Sequence, residues 1–449
     1  MTIWYPKSME ILFVVVFAII VAIVGKALRD DKFLTTGAQV WEEELDEILK
    51  PVKRVAKKAA KKTVKTRGGT VIAYDRLIVS PGIPHLYPSP HPIIARAMEL
   101  GIPVDNDIGL FFRSYATPEW DNFEIAPRVI CVTGSNGKST TTVMTTEALA
   151  AAGLAPTGIA GGRVNEWGGN ARMGGDRLFV VEADEYDTSY FDRRSKFVHY
   201  RPRTLLINNL EFDHADIFPD LAAIQTQFHQ LMRTVPGGGL VIAPADSEGV
   251  NEMLDQGCWT PIERVGQRQL RRRPHDRDSG VYWHADEIEH DQSAFDVWQN
   301  DRRIGRIKWS LQGEHNIQNA LGALAAARHA GVPPEIALEA LASFEGVRRR
   351  MDVIADVRGT IVYDDFAHHP TAIRATLQGL RRRVGNEEII AVVEARTHTM
   401  SLGTLRHELT TCCAAADQVF WFRGENIKWD LHEVVQHCVV PAQQFDSID

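Results

Sequence analysis

From about Gly69 the chain alternates short apolar runs with longer stretches of mixed polarity. Thr70–Val79, 177–183, 203–208, 240–243, 360–363, 388–393 and 418–422 are dominated by β-branched and aromatic residues, which predicts strands. Between them, 92–100, 140–152, 221–235, 316–330 and 334–343 read as helices. Gly101 and Gly153 supply stop signals for the first two, and Pro236-Gly237-Gly238-Gly239 closes the third. Pro103–Asp105 reads as a short extended piece and 123–127 as a connection. Residues 266–310 are polar and alternate weakly, predicting a small antiparallel excursion. Strands alternating with helices imply an α/β fold with mostly parallel sheets covered on both faces.

The first seventy residues differ in kind. Ile11–Gly25 is an unbroken apolar run between Glu10 and Lys26. It is shorter than the roughly 20 residues that span a bilayer, although Ala27 and Leu28 extend it. Two readings stand: a membrane contact through residues 9–28, or a segment buried in the first domain. Lys50–Arg67 places lysines at helical spacing, a basic face suited either to anionic headgroups or to solvent. With an anchor, the excess of basic residues after it leaves the remainder in the cytoplasm, attached to the inner membrane. Without one, the protein is simply cytoplasmic.

The most informative stretch is Val129-Ile130-Cys131-Val132-Thr133-Gly134-Ser135-Asn136-Gly137-Lys138-Ser139-Thr140. A β-branched strand enters a glycine turn and a helix follows, the geometry in which backbone N–H groups cradle phosphate. Gly134-x-x-Gly137-Lys138-Ser139 is two residues shorter than the usual phosphate-loop signature, but its context is right on both sides. The alternative is an ordinary strand–turn–helix.

Further candidate chemistry follows later strand ends. Glu182-Ala183-Asp184-Glu185-Tyr186-Asp187 concentrates acids that repel unless a cation compensates them. Asn208 to Asp216 contains Glu211, Asp213 and His214, a candidate ligand set. Asn316 and Asn319 open a helix three apart, on one face, where carboxamides read an adenine edge or merely cap the helix. Gly346 to Arg350 offers guanidinium forks for phosphate, and Tyr363 to Pro370 again puts Asp365 and two histidines after a strand. The net charge of −8 argues against nucleic acid as a partner. Five scattered cysteines without a C-x-x-C pair argue against a disulfide framework or zinc site and fit a reducing compartment.

In this order the motifs resemble the Mur ligase family, the ATP-dependent amide-forming ligases of peptidoglycan synthesis. FVVEADEYDTSYFDRRSKFVHYRPRTLLINNLEFDHADIF and VYDDFAHHPTAI carry the resemblance. From about Arg163 to Asp449 the wording is closest to the recycling branch, which joins the tripeptide L-alanyl-γ-D-glutamyl-meso-diaminopimelate to UDP-N-acetylmuramate. Ser80 to Phe111, and VTGSNGKST, look more like the D-glutamate-adding branch. Residues 1–66 match neither, no glycine-rich UDP-binding turn precedes Gly134, and the last strand–helix unit of the family looks cut short.

The resemblance implies a three-domain α/β architecture. It comprises an atypical segment 1–66, an incomplete acceptor-side domain 67–126, a phosphate-loop central domain 127–345 and a Rossmann-like C-terminal domain 346–449. It implies ATP and Mg²⁺, with UDP-N-acetylmuramate and the murein tripeptide as substrates, and a monomer. Residue by residue, Gly134, Ser135, Asn136, Gly137 and Thr140 would cradle ATP, Lys138 would bind the γ-phosphate and Ser139 one Mg²⁺. Glu182 and His214 would hold a second Mg²⁺. Asn316 and Asn319 would face adenine, Arg350 phosphate and Asp365 ribose, with Arg396 and His398 toward the incoming peptide. The family's modified lysine is absent near Gln227-Phe228-His229, as in the alanine- and tripeptide-adding branches. Two other readings remain open: a ligase adding single L-Ala or D-Glu, and a membrane-attached nucleotide-binding protein without ligase activity.

Overall fold

The computed structural model describes residues 63–66, 69–72, 77–79, 91–106, 128–175, 177–186, 194–215, 217–267, 275–424 and 427–447. They fall into two compact units, and the candidate site lies wholly in the larger, Asn122–Tyr186 with Ser195–Asp449.

In the smaller unit, β1 (Thr63–Thr66) and β2 (Gly69–Ile72) form an antiparallel hairpin. The helix expected over Lys50–Arg67 is therefore corrected at its end: Thr63, Val64 and Thr66 favour extended backbone. The rest of that segment and the apolar run Ile11–Gly25 lie outside the described residues. No helix among the described residues is long and apolar enough to cross a membrane. The strand expected over Thr70–Val79 is divided, with β3 at Leu77–Val79 pairing in parallel with β4 (Val104–Asn106). Pro92–Glu99 packs Ile94 and Ala97 against Leu77 and Val79, its N-terminus pre-set by Pro92 and capped by His91.

The larger unit is built on a ten-stranded sheet. Its strands are β5 (Arg128–Thr133), β6 (Thr157–Val164), β7 (Gly169–Arg172), β8 (Leu178–Glu182), β9 (Thr204–Ile207), β10 (Leu240–Pro244), β11 (Ile262–Gln267), β12 (Asp278–Asp286), β13 (Ala294–Gln299) and β14 (Arg302–Lys308). The spatial order is β14-β13-β12-β11-β10-β9-β5-β8-β6-β7. Strands from β12 through β6 run parallel, while β12–β13–β14 and β6–β7 pair antiparallel at the two margins. The excursion expected within 266–310 is thus β12–β14. The β6–β7 hairpin was not evident from the pattern, because Gly158, Gly161 and Gly162 interrupt its apolar run.

Two helices cover the centre. Lys138–Ala151 buries five threonines, two of which are satisfied by the helix's own backbone: Thr145 and Thr146 donate to the carbonyls of Thr141 and Thr142 at 2.7 and 2.8 Å. Glu314–His329 buries an alanine face, and Gly322 sits so close to the sheet that a Cβ there would lie 3.0 Å from Leu206. Small residues let this helix approach β9, which brings Asn319 beside the phosphate loop.

Downstream, β15 (Asp352–Val357) and β16 (Thr360–Asp364) form a hairpin, and β17 (Ile390–Glu394), β18 (Gln418–Phe422) and β19 (Ala442–Phe445) a parallel three-stranded sheet. Helices Pro370–Val384, Arg406–Cys412 and Leu431–His437 contribute Ile373, Leu377, Leu409 and Val434 to a core around the fully buried Trp421.

Candidate active site

In the ten-stranded sheet β5 lies between β8 and β9, so three neighbouring strands end at one place. The loop after β5 is the glycine turn, the loop after β8 carries Glu182 to Glu185, and the loop after β9 carries Asn208 to His214. Ligands in open α/β sheets sit outside the carboxyl ends of strands, at such a position.

The glycine turn is shaped by steric necessity. Gly134 and Gly137 have φ of +126° and +81°, the region L side chains avoid. A Cβ on Gly134 would lie 2.8 Å from the Asn209 carbonyl, and one on Gly137 2.4 Å from Asn319 Oδ1. The loop is moored to the β9 end: Asn136 N donates to Asn209 Oδ1 at 2.8 Å, and Glu211 N to Ser135 Oγ at 2.8 Å. The Asn208 carboxamide spans Asn136 O, Thr141 Oγ1 and Asn319 Oδ1 at 3.2, 3.0 and 3.3 Å. The helix Lys138–Ala151 starts at Gly137 without a side-chain cap, so its first N–H groups face the loop's concavity.

Lys138 Nζ donates to Gly134 O at 2.8 Å and meets both Glu185 oxygens, at 3.2 and 3.1 Å. Glu185 in turn contacts His214 Nε2 at 2.7 Å. On the other side, Glu182 accepts from the Gly161 amide and from the Ser139 hydroxyl. Ser139 with Glu182, and Lys138 with Glu185 and His214, therefore cluster at the neighbouring ends of β5, β8 and β9.

The electrostatics show a surplus of negative charge there. Burial alone would push the Lys138 ammonium down, but Glu185, Asp184 and Glu182 outweigh it and hold it above its ordinary range. Burial raises the Glu182 carboxyl, and burial together with Glu185 raises that of Asp184. Glu185 moves the other way: burial opposes it, yet Lys138 and His214 keep it ionised. His214 is raised, burial being outweighed by Glu185 and Asp213. Ligand atoms of Asp184, Glu185 and His214 all lie within 4.8 Å of one another. Buried carboxylates with a nearby imidazole and unrelieved repulsion fit a divalent cation.

The remaining expected residues reach the site's surroundings by different routes. Thr140 is buried at the helix start. Asn316 Nδ2 donates to Gln312 O at 2.6 Å, and Asn319 is buried with its carboxamide between Asn208 and Asn316. Asp365 accepts from the amides of Met351 and Ala367 at 2.9 and 2.7 Å, which fixes the turn after β16. Burial lowers His315, the neighbour of Asn316, with Asp365 opposing and Arg350 adding to that effect. Arg350 also lies over the Phe366 ring at 5.7 Å. Arg396 is exposed on the loop after β17, and His398 opens the turn of helix His398–Leu402. That loop is tied to the β9 end through Thr399, which sequence reasoning did not single out. His369 was likewise missed as a tether: its Nδ1 lies 3.1 Å from Glu211 Oε2 and its Nε2 3.3 Å from Phe212 O.

A largely parallel sheet with a glycine turn and an acidic, histidine-bearing cluster at one set of strand ends is an arrangement that suits a nucleotide-dependent enzyme. Residues 132–327 match the Mur ligase middle domain and residues 349–448 the Mur ligase glutamate ligase domain. The chain belongs to the Mur ligase family, and as such is an ATP-dependent amide-forming ligase. It is 44% identical over 361 residues to the UDP-N-acetylmuramate–L-alanyl-γ-D-glutamyl-meso-2,6-diaminoheptandioate ligase of Escherichia coli (strain K12), an alignment covering 80% of this chain and 76% of that protein. The crystal structure of a murein peptide ligase from Psychrobacter arcticus superposes with a TM-score of 0.58 at 33% identity, over 84% of this chain and 78% of that one. The UDP-N-acetylmuramate:L-alanyl-γ-D-glutamyl-meso-diaminopimelate ligase from Neisseria meningitidis gives 0.52 at 40% identity, over 62% and 81%.

Proposed function

We propose that the protein joins the tripeptide L-alanyl-γ-D-glutamyl-meso-diaminopimelate to UDP-N-acetylmuramate, with ATP consumed, in peptidoglycan recycling. The observation that carries this reading is the cluster in which Lys138 and Ser139 of the glycine turn meet Glu182, Glu185 and His214, within a chain 44% identical to a relative bearing that name.

A carboxylate is a poor acyl donor, so the lactyl carboxylate of the sugar first takes the γ-phosphoryl group of ATP. The amine of the peptide then attacks the acyl carbon and expels phosphate through a tetrahedral intermediate. The chain's contribution is positioning and charge rather than covalent chemistry. The uncapped backbone N–H groups at the helix start, Gly137 to Thr140, would hold the phosphates. Lys138, now turned onto Glu185, swings to the γ-phosphate when that charge arrives, and Glu185 remains paired with His214. Ser139 with Glu182 on one side, and His214 with its carboxylate neighbours on the other, would hold Mg²⁺. Bound there, Mg²⁺ would supply Lewis-acid neutralisation of charge on the transferring phosphoryl group. Asn316 and Asp365 would orient the nucleoside, Arg350 a phosphate, and Arg396 and His398 the incoming peptide.

ATP turnover measured with UDP-N-acetylmuramate and, separately, the tripeptide, L-alanine or D-glutamate tests the substrate. Turnover strongly favouring the tripeptide is expected. Equal or better turnover with a single amino acid would replace this assignment with an amino-acid-adding one.

A further inference from the structure

The loop that carries His214 is not held by its own domain alone. His214 has φ of +55°, a conformation that side chains with a Cβ adopt only when their surroundings impose it. Its carbonyl accepts from Ile217 and Phe218 at 2.9 and 3.0 Å, which explains the turn that follows. The residues on either side of His214 are gripped from elsewhere. Thr399, in the turn after β17, donates its hydroxyl to Asp213 Oδ1 at 2.8 Å across 186 positions of sequence. The same hydroxyl oxygen accepts from Ala215 N at 3.3 Å. Asp213 Oδ1 also accepts from His214 N at 2.7 Å, and His368 Nε2 stands 3.8 Å from Asp213 Oδ2. Thr399 and Asp213 are buried, at 3% and 4% exposure, so these bonds are made away from competing water.

We propose that Thr399 is a positioning residue: by bracketing His214 from both sides it couples the seating of the C-terminal sheet to the shape of the cation site. This rests on the assignment of His214 as a cation ligand made above. When Thr399 leaves, Asp213 keeps His214 N and His368 but loses its hold on the distant loop, Ala215 N loses its acceptor, and His214 is free to relax out of its left-handed conformation. Its imidazole then departs from Glu185 and Asp184. Linkage is reciprocal, so a cation at Asp184, Glu185 and His214 holds Thr399 in place, and the C-terminal sheet seats more firmly. Domain seating and cation binding become one event, and the cation site is complete only when the peptide-side loop of Arg396 and His398 is docked.

Mn²⁺ titration of the full chain by electron paramagnetic resonance, without substrates, tests this. Thr399→Val keeps the side chain's volume and deletes both hydrogen bonds, and is expected to weaken Mn²⁺ binding roughly five- to tenfold. Thr399→Ser restores the hydroxyl and is expected to bind within about twofold of the natural protein. Equal affinity in Thr399→Val and the natural protein would overturn the coupling. A natural protein that binds no more Mn²⁺ than His214→Ala would overturn the cation-site assignment itself, so the two failures are separable. Should Thr399→Val not fold, amide exchange in the natural protein decides: Mn²⁺ is expected to slow exchange in 398–402 as well as 213–218. Unchanged exchange at 398–402 would overturn the coupling.

Discussion

Replacing Lys138 with methionine retains the aliphatic stem and deletes the ammonium, so the loop keeps its packing while losing its charge. The side chain is 13% exposed and its nitrogen lies 3.1 Å from Glu185 Oε2. In so enclosed a setting, a preorganised cation aimed at charge on a transferring phosphoryl group contributes about 3–4 kcal/mol, or roughly 10²–10³ in kcat. The effect on stability is smaller. Glu185 loses one buried partner but keeps His214 at 2.7 Å, so the loss is about 1–3 kcal/mol. Glu185→Gln added to Lys138→Met removes the stranded carboxylate and is expected to recover stability without recovering rate. ADP release under saturating substrates and thermal unfolding measure the two effects. A Lys138→Met protein that turns over within tenfold of the natural one would refute the role given to this lysine. A mutant that unfolds outright would refute the view that Glu185 remains adequately paired.

Gly137→Ala should be destabilising by about 1–3 kcal/mol and should abolish nucleotide binding, since φ is +81° and the new Cβ would strike Asn319 Oδ1; calorimetry with ATP and thermal melts read both. His329 sits against Thr204 Oγ1 at 2.7 Å, and burial with Arg328, Arg203 and Arg128 lowers it to about 4. It stays neutral in the fold while the unfolded chain takes up a proton below about pH 6.5. Stability should therefore fall as pH drops from about 6.5 toward 4, by on the order of 1–2 kcal/mol from this group. Denaturant titrations across that window should show a shallower fall in His329→Gln. Glu185→Gln should weaken Mn²⁺ binding and release Lys138, detectable as a lower lysine pKa by NMR.

Much of the site was legible because it is local in sequence. The glycine turn declares itself by a β-branched strand on one side and a helix on the other, and Glu182 to Glu185 and Asn208 to His214 each follow a strand. The β12–β14 margin was readable from weak alternation in 266–310. What could not be read depends on side-chain direction and on distant pairing. Asp184 and Glu185, rather than Glu182, converge on His214, because Glu182 turns toward Ser139 and the Gly161 amide. The spacing of Asn316 and Asn319 did not reveal that the Asn319 carboxamide meets Asn208 beneath Gly137. The bond from Thr399 to Asp213 joins the segments that follow β17 and β9, and nothing in EARTHTM signals it. The hairpin β6–β7 escaped notice because its glycines are there for contact, Gly161 against Glu182 and Gly158 against Thr146, rather than for strand propensity.

The account turns on activation of the sugar carboxylate by ATP before the amine attacks. The most direct measurement uses UDP-N-acetylmuramate labelled with ¹⁸O in both lactyl carboxylate oxygens, together with the tripeptide, and follows the inorganic phosphate by mass spectrometry. One labelled oxygen in the released phosphate for each amide formed is the predicted result. Amide formation with unlabelled phosphate would contradict it.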